Sequence, residues 1–221
     1  MEELFKSGNR LKNYKLKAEA PDFLENPDFS FNFVANCHFL IMRIARQNSV
    51  GLVIDIQERL YPVMWEKEKF LKNTRILIQG MRELCLPIVA TQQYTKGLGE
   101  TIPEIRAILP DMHYIEKRAF SCCDEPSVQM KLAELQAKNI IICGIESHVC
   151  VLQTAIDLKE AGYNPVVVMD CVSSREAGSI ELAKERFRHE KIVMTSAEAI
   201  LFELTRSSEA AGFKAISKLV K

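Results

Sequence analysis

The stretch "NIIICGIESHVCVLQTAIDL", residues 139 to 158, is typical of a buried strand that runs directly into a helix. Its first part is an apolar run that ends at Gly144, and its last part carries apolar residues at helical spacing. Between them lie a glutamate, a serine and a histidine, followed by Cys150. A strand that is apolar on both faces and is followed by a helix is the repeating unit of a parallel sheet.

The same unit recurs on both sides of this stretch. The alternation of apolar runs and helical periodicity predicts an α/β protein, a three-layer α/β/α sandwich with a six-stranded, mainly parallel, doubly wound sheet. Asp124 is predicted to cap a helix that begins at Pro126, and Thr195 to Glu198 are predicted to form a capping box. The six predicted strands lie within residues 50–56, 86–92, 112–117, 139–145, 164–170 and 191–195.

The composition excludes several classes of protein. The chain has 221 residues with 29 basic and 29 acidic side chains, and a net charge of zero gives no reason to expect nucleic acid or an anionic membrane as a partner. No segment resembles a secretory signal, and the apolar stretch at 33–42 is far shorter than the roughly 20 residues of a membrane span. Seven cysteines without paired spacing fit a reducing compartment, which predicts a cytoplasmic protein.

Residues 1–41 do not share the strand and helix pattern. They mix charged residues, Asn and Pro without a sustained period, and we expect a loosely ordered N-terminal extension. Met42 stands just before the first strand, so a sharper hypothesis makes it the physiological start of the protein. The predicted folded domain covers residues 42–221.

Familiar cofactor and metal motifs are missing from the sequence. The segment "GLGETI" at 97–102 lacks the third glycine of a dinucleotide loop, and Ser147 lies one position too far from Gly144 for a nucleophile elbow. The histidines are scattered and no CxxC pair occurs, so we expect no metal and no cofactor.

Polar residues at the ends of the predicted strands are the candidates for chemistry. Asp55 interrupts an otherwise apolar strand, which indicates a functional carboxylate with a partner or, alternatively, a cap on a neighbouring loop. Cys150 either packs a helix against the sheet or, in the first turn of that helix, has a lowered pKa and is a thiolate. Nothing in the residue pattern alone selects Lys117 from the other lysines.

Three motifs in order resemble the isochorismatase-like cysteine hydrolase superfamily: "VIDIQ" at 53–57, "IEKRAFSCCDEP" at 115–126 and "GIESHVCVLQTAIDL" at 144–158. The resemblance covers about residues 43–221. It implies that Asp55, Lys117 and Cys150 meet in one crevice as a catalytic triad. It also implies a cis peptide bond between Ile145 and Glu146, with the N–H groups of Glu146 and Cys150 facing one oxyanion.

The resemblance also implies an activity, hydrolysis of a small amide or related carbonyl compound through a thioester on Cys150. The sequence departs from nicotinamidases, because "TQQYTKGLGETIPEI" at 91–105 has no histidine for their metal cluster. It departs from isochorismatases proper by carrying Cys150. These departures favour the metal-free members of the superfamily, whose natural substrates are mostly undefined. Members commonly form homo-oligomers, and the segment 212–220 offers an amphipathic surface for docking.

The hypothesis also includes the walls of a substrate pocket and two alternative functions. The residues that flank the motif positions predict a substrate pocket with four walls: Tyr61, Gln93, Phe120 and His148. Two other functions remain open: a catalytically silent scaffold of the same fold, and a thiol redox protein that uses Cys150 with Cys122 or Cys123 as the resolving partner.

Overall fold

Six strands form one parallel sheet in the order β3-β2-β1-β4-β5-β6 in a computed structural model that describes residues 43–221. The predicted mainly parallel sheet is therefore confirmed, with every strand pair parallel. The predicted extension at 1–41 and the start at Met42 lie outside the described residues. The strands are β1 Ser49–Ile54, β2 Ile88–Gln93, β3 Tyr114–Lys117, β4 Asn139–Ile145, β5 Asn164–Ser173 and β6 Val193–Thr195.

Within residues 43–221, six helices of seven residues or more cover the two faces of the sheet. They are α1 Lys67–Glu83, α2 Pro126–Glu134, α3 Leu152–Glu160, α4 Ala177–His189, α5 Ala197–Thr205 and α6 Phe213–Leu219. Single helical turns occur at Thr95–Leu98 and Pro103–Arg106, short 3-10 segments at Arg46–Asn48, Tyr61–Val63 and Cys122–Asp124, and a π-helical turn at Ser147–Val151.

Alternation along the strands divides the core into two layers. In β1, Leu52 and Ile54 pack with α2, α3 and α4, whereas Val53 points to the other face, where α1, α5 and α6 pack. Because every residue of β1 and β4 is buried, these two central strands are covered on both faces. This arrangement confirms the predicted three-layer sandwich.

Two predicted helix caps were misplaced by one residue. Glu125, not Asp124, caps α2, because its carboxylate accepts a hydrogen bond from the N–H of Ser127. Ser196, not Thr195, caps α5 through a hydrogen bond to the N–H of Ala199. In each case two neighbouring residues are of a type that can cap a helix. The backbone conformation determines which of the two side chains reaches the free N–H groups of the first turn.

Candidate active site

The strand order reverses between β1 and β4, and the three predicted catalytic residues lie at this edge of the sheet. Asp55 follows β1 with a left-handed backbone (φ 51°), which ends the strand. Lys117 is the last residue of β3, and Cys150 lies in the π-helical turn after β4. Three separate elements thus bring a carboxylate, an ammonium and a thiol together, as the sequence motifs imply.

A buried ion pair forms the centre of the site. The ammonium Nζ of Lys117 lies 2.7 Å from Oδ2 of Asp55, and neither side chain has any exposed surface. The hydroxyl of Thr91 donates a hydrogen bond of 2.8 Å to Oδ1 of the same carboxylate. Among the described residues no donor meets Oδ2 at hydrogen-bond angles, so the lysine contact there is an ion contact. Oδ2 therefore keeps a lone pair that can accept a proton.

The thiol of Cys150 is within hydrogen-bonding reach of the Asp55 carboxylate. Only 7% of Cys150 is exposed. The main chain of Glu146 lies close enough to the sulfur to lower the pKa of the thiol. The arrangement can transfer a proton from sulfur to carboxylate while the sulfur attacks an electrophile.

Burial sets the protonation of the three groups. It raises the pKa of Asp55 above its usual value, although the charge of Lys117 and the hydrogen bonds of the carboxylate lower it. Burial lowers the pKa of Lys117, but the negative charge of Asp55 opposes this and leaves that pKa above its usual value. The lysine is therefore a permanent cation.

The prediction of a thiolate stabilised by a helix end is wrong for this structure. Burial, and next the charge of Asp55, raise the pKa of Cys150 to about 12, and the charge of Lys117 and the N–H of Glu146 only partly offset them. The turn that carries Cys150 is a π-helical turn without a side-chain cap, not the start of a capped α-helix. At neutral pH the thiol keeps its proton and needs a base in order to react.

The loop before Cys150 is held by several hydrogen bonds. The peptide bond between Ile145 and Glu146 is cis, as the resemblance implies. The side chain of Glu146 accepts hydrogen bonds of 3.1 Å from both the main-chain N–H and the Nε of Arg175. The hydroxyls of Ser147 and Ser174 are 2.5 Å apart, and Nδ1 of His148 lies 2.9 Å from the Ser174 hydroxyl. These contacts fix the loop to the end of β5.

The four predicted pocket walls have different positions. Gln93 and Phe120 both contact the Lys117 ammonium, the first through its side-chain oxygen and the second through its main-chain carbonyl. Phe120 as a whole residue is 54% exposed. His148 binds Ser174, and the Tyr61 ring packs on another ring, that of Phe70. Gln93 and Phe120 therefore contact the triad, whereas the side chains of Tyr61 and His148 lie against Phe70 and Ser174.

Two clefts lie away from the triad. One of about 380 Å³ is formed by α1, α4 and the end of β5, and the other of about 480 Å³ lies along β2 and β3. Neither of these two clefts is lined by Asp55, Lys117 or Cys150.

Residue patterns missed several members of the site. Thr91 lies inside the predicted strand 86–92 and Gln57 ends the motif at 53–57, and neither pattern marks them as site residues. Both nevertheless contact the network around Asp55 and Lys117. Cys122 is completely buried with its sulfur 3.9 Å from the Thr91 hydroxyl, which places a second thiol beside the triad. The available signal was position: Thr91 and Gln93 belong to the strand beside β1 and lie near its carboxyl end.

The described part of the chain carries neither a metal-binding cluster nor a membrane-spanning helix. Within residues 43–221 no group of three His, Cys, Asp or Glu side chains is arranged to hold a metal ion. All six cysteines of this part are free thiols. None of its helices combines the length and the apolar character that crossing a membrane requires.

Comparison with known proteins places the chain in a family. The model of the isochorismatase domain matches residues 49–199. The chain belongs to the isochorismatase family. A relative, the secreted isochorismatase effector Isc1 from Phytophthora sojae (strain P6497), is 36% identical over 184 residues, which cover 81% of this chain and 87% of that protein. Membership of this family supports hydrolase activity in general.

Solved structures of similar fold support the same conclusion. The MAR1 ribonuclease from Caenorhabditis elegans is 36% identical with a TM-score of 0.76, and the match covers 80% of this chain and 92% of that one. The YcaC gene product of Escherichia coli, described as an octameric hydrolase of unknown specificity, shares the fold with a TM-score of 0.76 and 23% identity, over 80% of this chain and 90% of that one.

Proposed function

We propose that this isochorismatase-family protein is a cysteine hydrolase that acts on a small amide or a related carbonyl compound. One observation carries the proposal: the Cys150 thiol is within hydrogen-bonding reach of a carboxylate that lies 2.7 Å from a buried ammonium. A thiol beside a general base is the arrangement used for nucleophilic attack on carbonyl carbon. A silent scaffold gives no reason to bury such an ion pair, because burying charges costs stability.

Acylation begins with a protonated thiol. Asp55 accepts the proton of Cys150 as the sulfur forms a bond to the carbonyl carbon, and the carbonyl oxygen takes the displaced electron pair. The main-chain N–H groups of Glu146 and Cys150 hold this oxyanion. When the intermediate collapses, the bond from carbon to nitrogen breaks and Asp55 gives its proton to the departing amine, which leaves a thioester on Cys150.

Hydrolysis of the thioester uses the same residues in reverse. Asp55 removes a proton from water as the water oxygen attacks the thioester carbon, and the sulfur leaves as the carboxylic acid forms. The proton on Asp55 then returns to the sulfur of Cys150. Lys117 remains charged throughout and limits the change in electrostatic energy as the charge on Asp55 appears and disappears.

A thiol redox function is a weaker alternative. Burial raises the pKa of both Cys122 and Cys150 to about 12, so few of these thiols are ionised at neutral pH. Peroxides react with thiolates and not with thiols. We expect peroxide treatment at pH 7 to leave both cysteines reduced, and rapid formation of a disulfide between them, detected by intact mass, favours the redox function instead.

Ribonuclease activity is a second candidate, favoured by the 36% identity to the C. elegans protein described as a ribonuclease. Against it stand the balanced charge of the chain, since RNA-binding surfaces are usually rich in basic residues, and the burial of Cys150. Incubation of a labelled RNA with the protein and with Cys150→Ala separates the two functions. Cleavage that depends on Cys150 supports the ribonuclease, and no cleavage by either protein supports the amide hydrolase.

The experiment that tests the proposed function is a screen of small amides, ureas and carbamoyl compounds for release of amine or ammonia. We expect turnover of at least one compound by the natural protein and none by Cys150→Ala. Cys123→Ala is the matched control and keeps full activity, because this half-buried thiol is not recorded in contact with Asp55 or Lys117. Equal turnover by Cys150→Ala and the natural protein excludes the proposed mechanism.

Assembly and location are also proposals. The description of the E. coli relative as octameric supports a homo-oligomer here. A cytoplasmic location is proposed from the free thiols of the described residues, since a reducing compartment maintains free thiols. Light scattering that shows a stable monomer at micromolar concentration excludes the oligomer.

A further inference from the structure

The ammonium of Lys117 has more oxygen neighbours than protons. Nζ lies 2.7 Å from Oδ2 of Asp55, 2.7 Å from Oε1 of Gln93, and 3.1 Å from each of the main-chain carbonyls of Ala119 and Phe120. A protonated amine donates only three hydrogen bonds. The aligned bonds go to the three neutral oxygens, whereas the carboxylate contact is unaligned. The three neutral acceptors therefore hold the ammonium through aligned hydrogen bonds while it stays in ionic contact with Asp55.

Of the three neutral acceptors, the Gln93 oxygen is the one that belongs to a side chain. Other hydrogen bonds hold this side chain in place. Its Nε2 donates a hydrogen bond of 2.7 Å to the carbonyl of Arg118, and its main-chain N–H donates one of 2.7 Å to Oε1 of Gln57. Nε2 of Gln57 in turn donates to the Gln93 carbonyl at 2.9 Å. Because an ammonium only donates, the amide must present its oxygen to Lys117.

We propose that Gln93 is a positioning residue that holds Lys117 at the Asp55 carboxylate and so sets how readily Cys150 gives up its proton. This inference rests on the proposed function. Without the Gln93 oxygen, one proton of a completely buried ammonium has no aligned acceptor, which favours loss of charge or displacement of Nζ. The positive field that opposes the high pKa of Cys150 then weakens.

A glutamine suits this task better than an acid would. A carboxylate at position 93 would also hold the ammonium, but it would add a second negative charge near the sulfur and make ionisation harder. The amide gives directional bonding without that charge. Gln93, predicted from sequence as a pocket wall, is therefore assigned to the support of the lysine.

The test is the pH profile of Cys150 alkylation by iodoacetamide, followed by peptide mass spectrometry, in the full-length protein. For Gln93→Met we expect the rate at pH 8 to fall about tenfold, the effect of a rise of about one pKa unit in the thiol. Gln92→Met is the matched control, because Gln92 bonds Glu100 and Thr101 and makes no recorded contact with Lys117. Its profile should match that of the natural protein.

Lys117→Met separates this inference from the proposed function. If Gln93 acts through the lysine, Lys117→Met lowers the rate at least as much, and adding Gln93→Met to it causes no further change. A Gln93→Met profile equal to the natural one, an equal change in Gln92→Met, or an added effect in the double variant overturns the inference while the triad stands. An unchanged Lys117→Met profile overturns the triad and the inference together.

A second pair of variants covers the case in which methionine at position 93 prevents folding. Gln93→Asn keeps the amide but is one methylene shorter, so its oxygen is withdrawn from the ammonium. It should lower the alkylation rate in the same direction, with Gln92→Asn as its control. A Gln93→Asn profile that matches both the control and the natural protein contradicts the positioning role.

Discussion

At the level of single residues, Lys117 and Asp55 depend on each other because neither charge is exposed to water. Desolvation of two buried charges is costly, and their mutual attraction repays it only at short range with further hydrogen bonds. The 2.7 Å contact provides the short range. The further hydrogen bonds come from the Thr91 hydroxyl and from the acceptors around Lys117. The pair therefore contributes a fixed charge arrangement for chemistry more than it contributes stability.

Loss of one member of this pair should lower the free energy of unfolding strongly. We predict that Lys117→Met lowers the free energy of unfolding by about 3–5 kcal/mol, because the carboxylate of Asp55 stays buried without its counter-charge. Urea denaturation at pH 7 measures the change. Lys69→Met is the matched control: its ion pair with Glu66 is on the surface, and we expect a loss below about 1 kcal/mol. Equal losses in the two variants contradict the structural role given to the buried pair.

Sequence reasoning found part of this site and missed the rest for physical reasons. Asp55 was visible because a carboxylate inside an apolar run demands an explanation, whereas Lys117 was found only through the family motif. Thr91 and Gln93 were not recognisable as supports of the pair, because hydrogen-bond partners depend on strands that are distant in sequence. The pKa of Cys150 was misjudged because the degree of burial and the charge of Asp55 outweigh the effect of a helix end.

At the level of elements, β1 and β4 approach each other closely where the site is formed. Gly144 has φ +128°, and a Cβ there would lie 2.1 Å from the main-chain oxygen of Ile54. The register between β4 and β5 also shifts between Ile142 and Gly144. Glycine at this position thus lets the end of β4 lie against the residue before Asp55 and turn towards Cys150.

A side chain at position 144 should disrupt this approach. We predict that Gly144→Ala lowers the free energy of unfolding by more than about 2 kcal/mol, because both the backbone angle and the contact with Ile54 are unsuitable for alanine. In Gly178→Ala, the control in the first turn of α4, a Cβ meets nothing within 4 Å, and we expect a gain of about 0.5–1 kcal/mol. Thermal or urea unfolding of both variants measures the contrast, and a neutral Gly144→Ala refutes it.

Element type was easier to predict than element ends. All six strands were located from their apolar runs, but β5 continues to Ser173, three residues beyond its predicted end. The predicted strand ends at polar Asp170, which breaks the apolar pattern, although the chain remains extended through Cys171, Val172 and Ser173. The hydrophobic periodicity of a sequence indicates which face of a strand is buried. It indicates the end of a strand only weakly where that strand extends beyond its neighbour.

At the level of the whole molecule, burial of thiols couples stability to alkaline pH. Burial raises the pKa of Cys122, Cys143 and Cys150 to about 12, from a usual value of 9.0. Between these values the folded protein keeps protons that the unfolded chain releases. The folded state then binds more protons than the unfolded state, so stability falls as pH rises through this window.

We therefore predict a steady loss of unfolding free energy as the pH is raised above about 9, measured by urea denaturation under reducing conditions. Cys143→Ala is a useful variant because this thiol is buried in the core away from the ion pair, and its removal should make the pH dependence shallower. Stability that stays constant between pH 8 and pH 11 contradicts the burial of the thiols.

The most direct test of the account is the identity of the atom that carries the acyl group during turnover. With a compound found in the screen, the reaction is quenched in acid within one turnover and the protein is mapped by peptide mass spectrometry. We predict an added acyl mass on the peptide that contains Cys150, released by hydroxylamine as a thioester and missing in Cys150→Ala. Full turnover by Cys150→Ala, or an acyl group on another residue, contradicts the account.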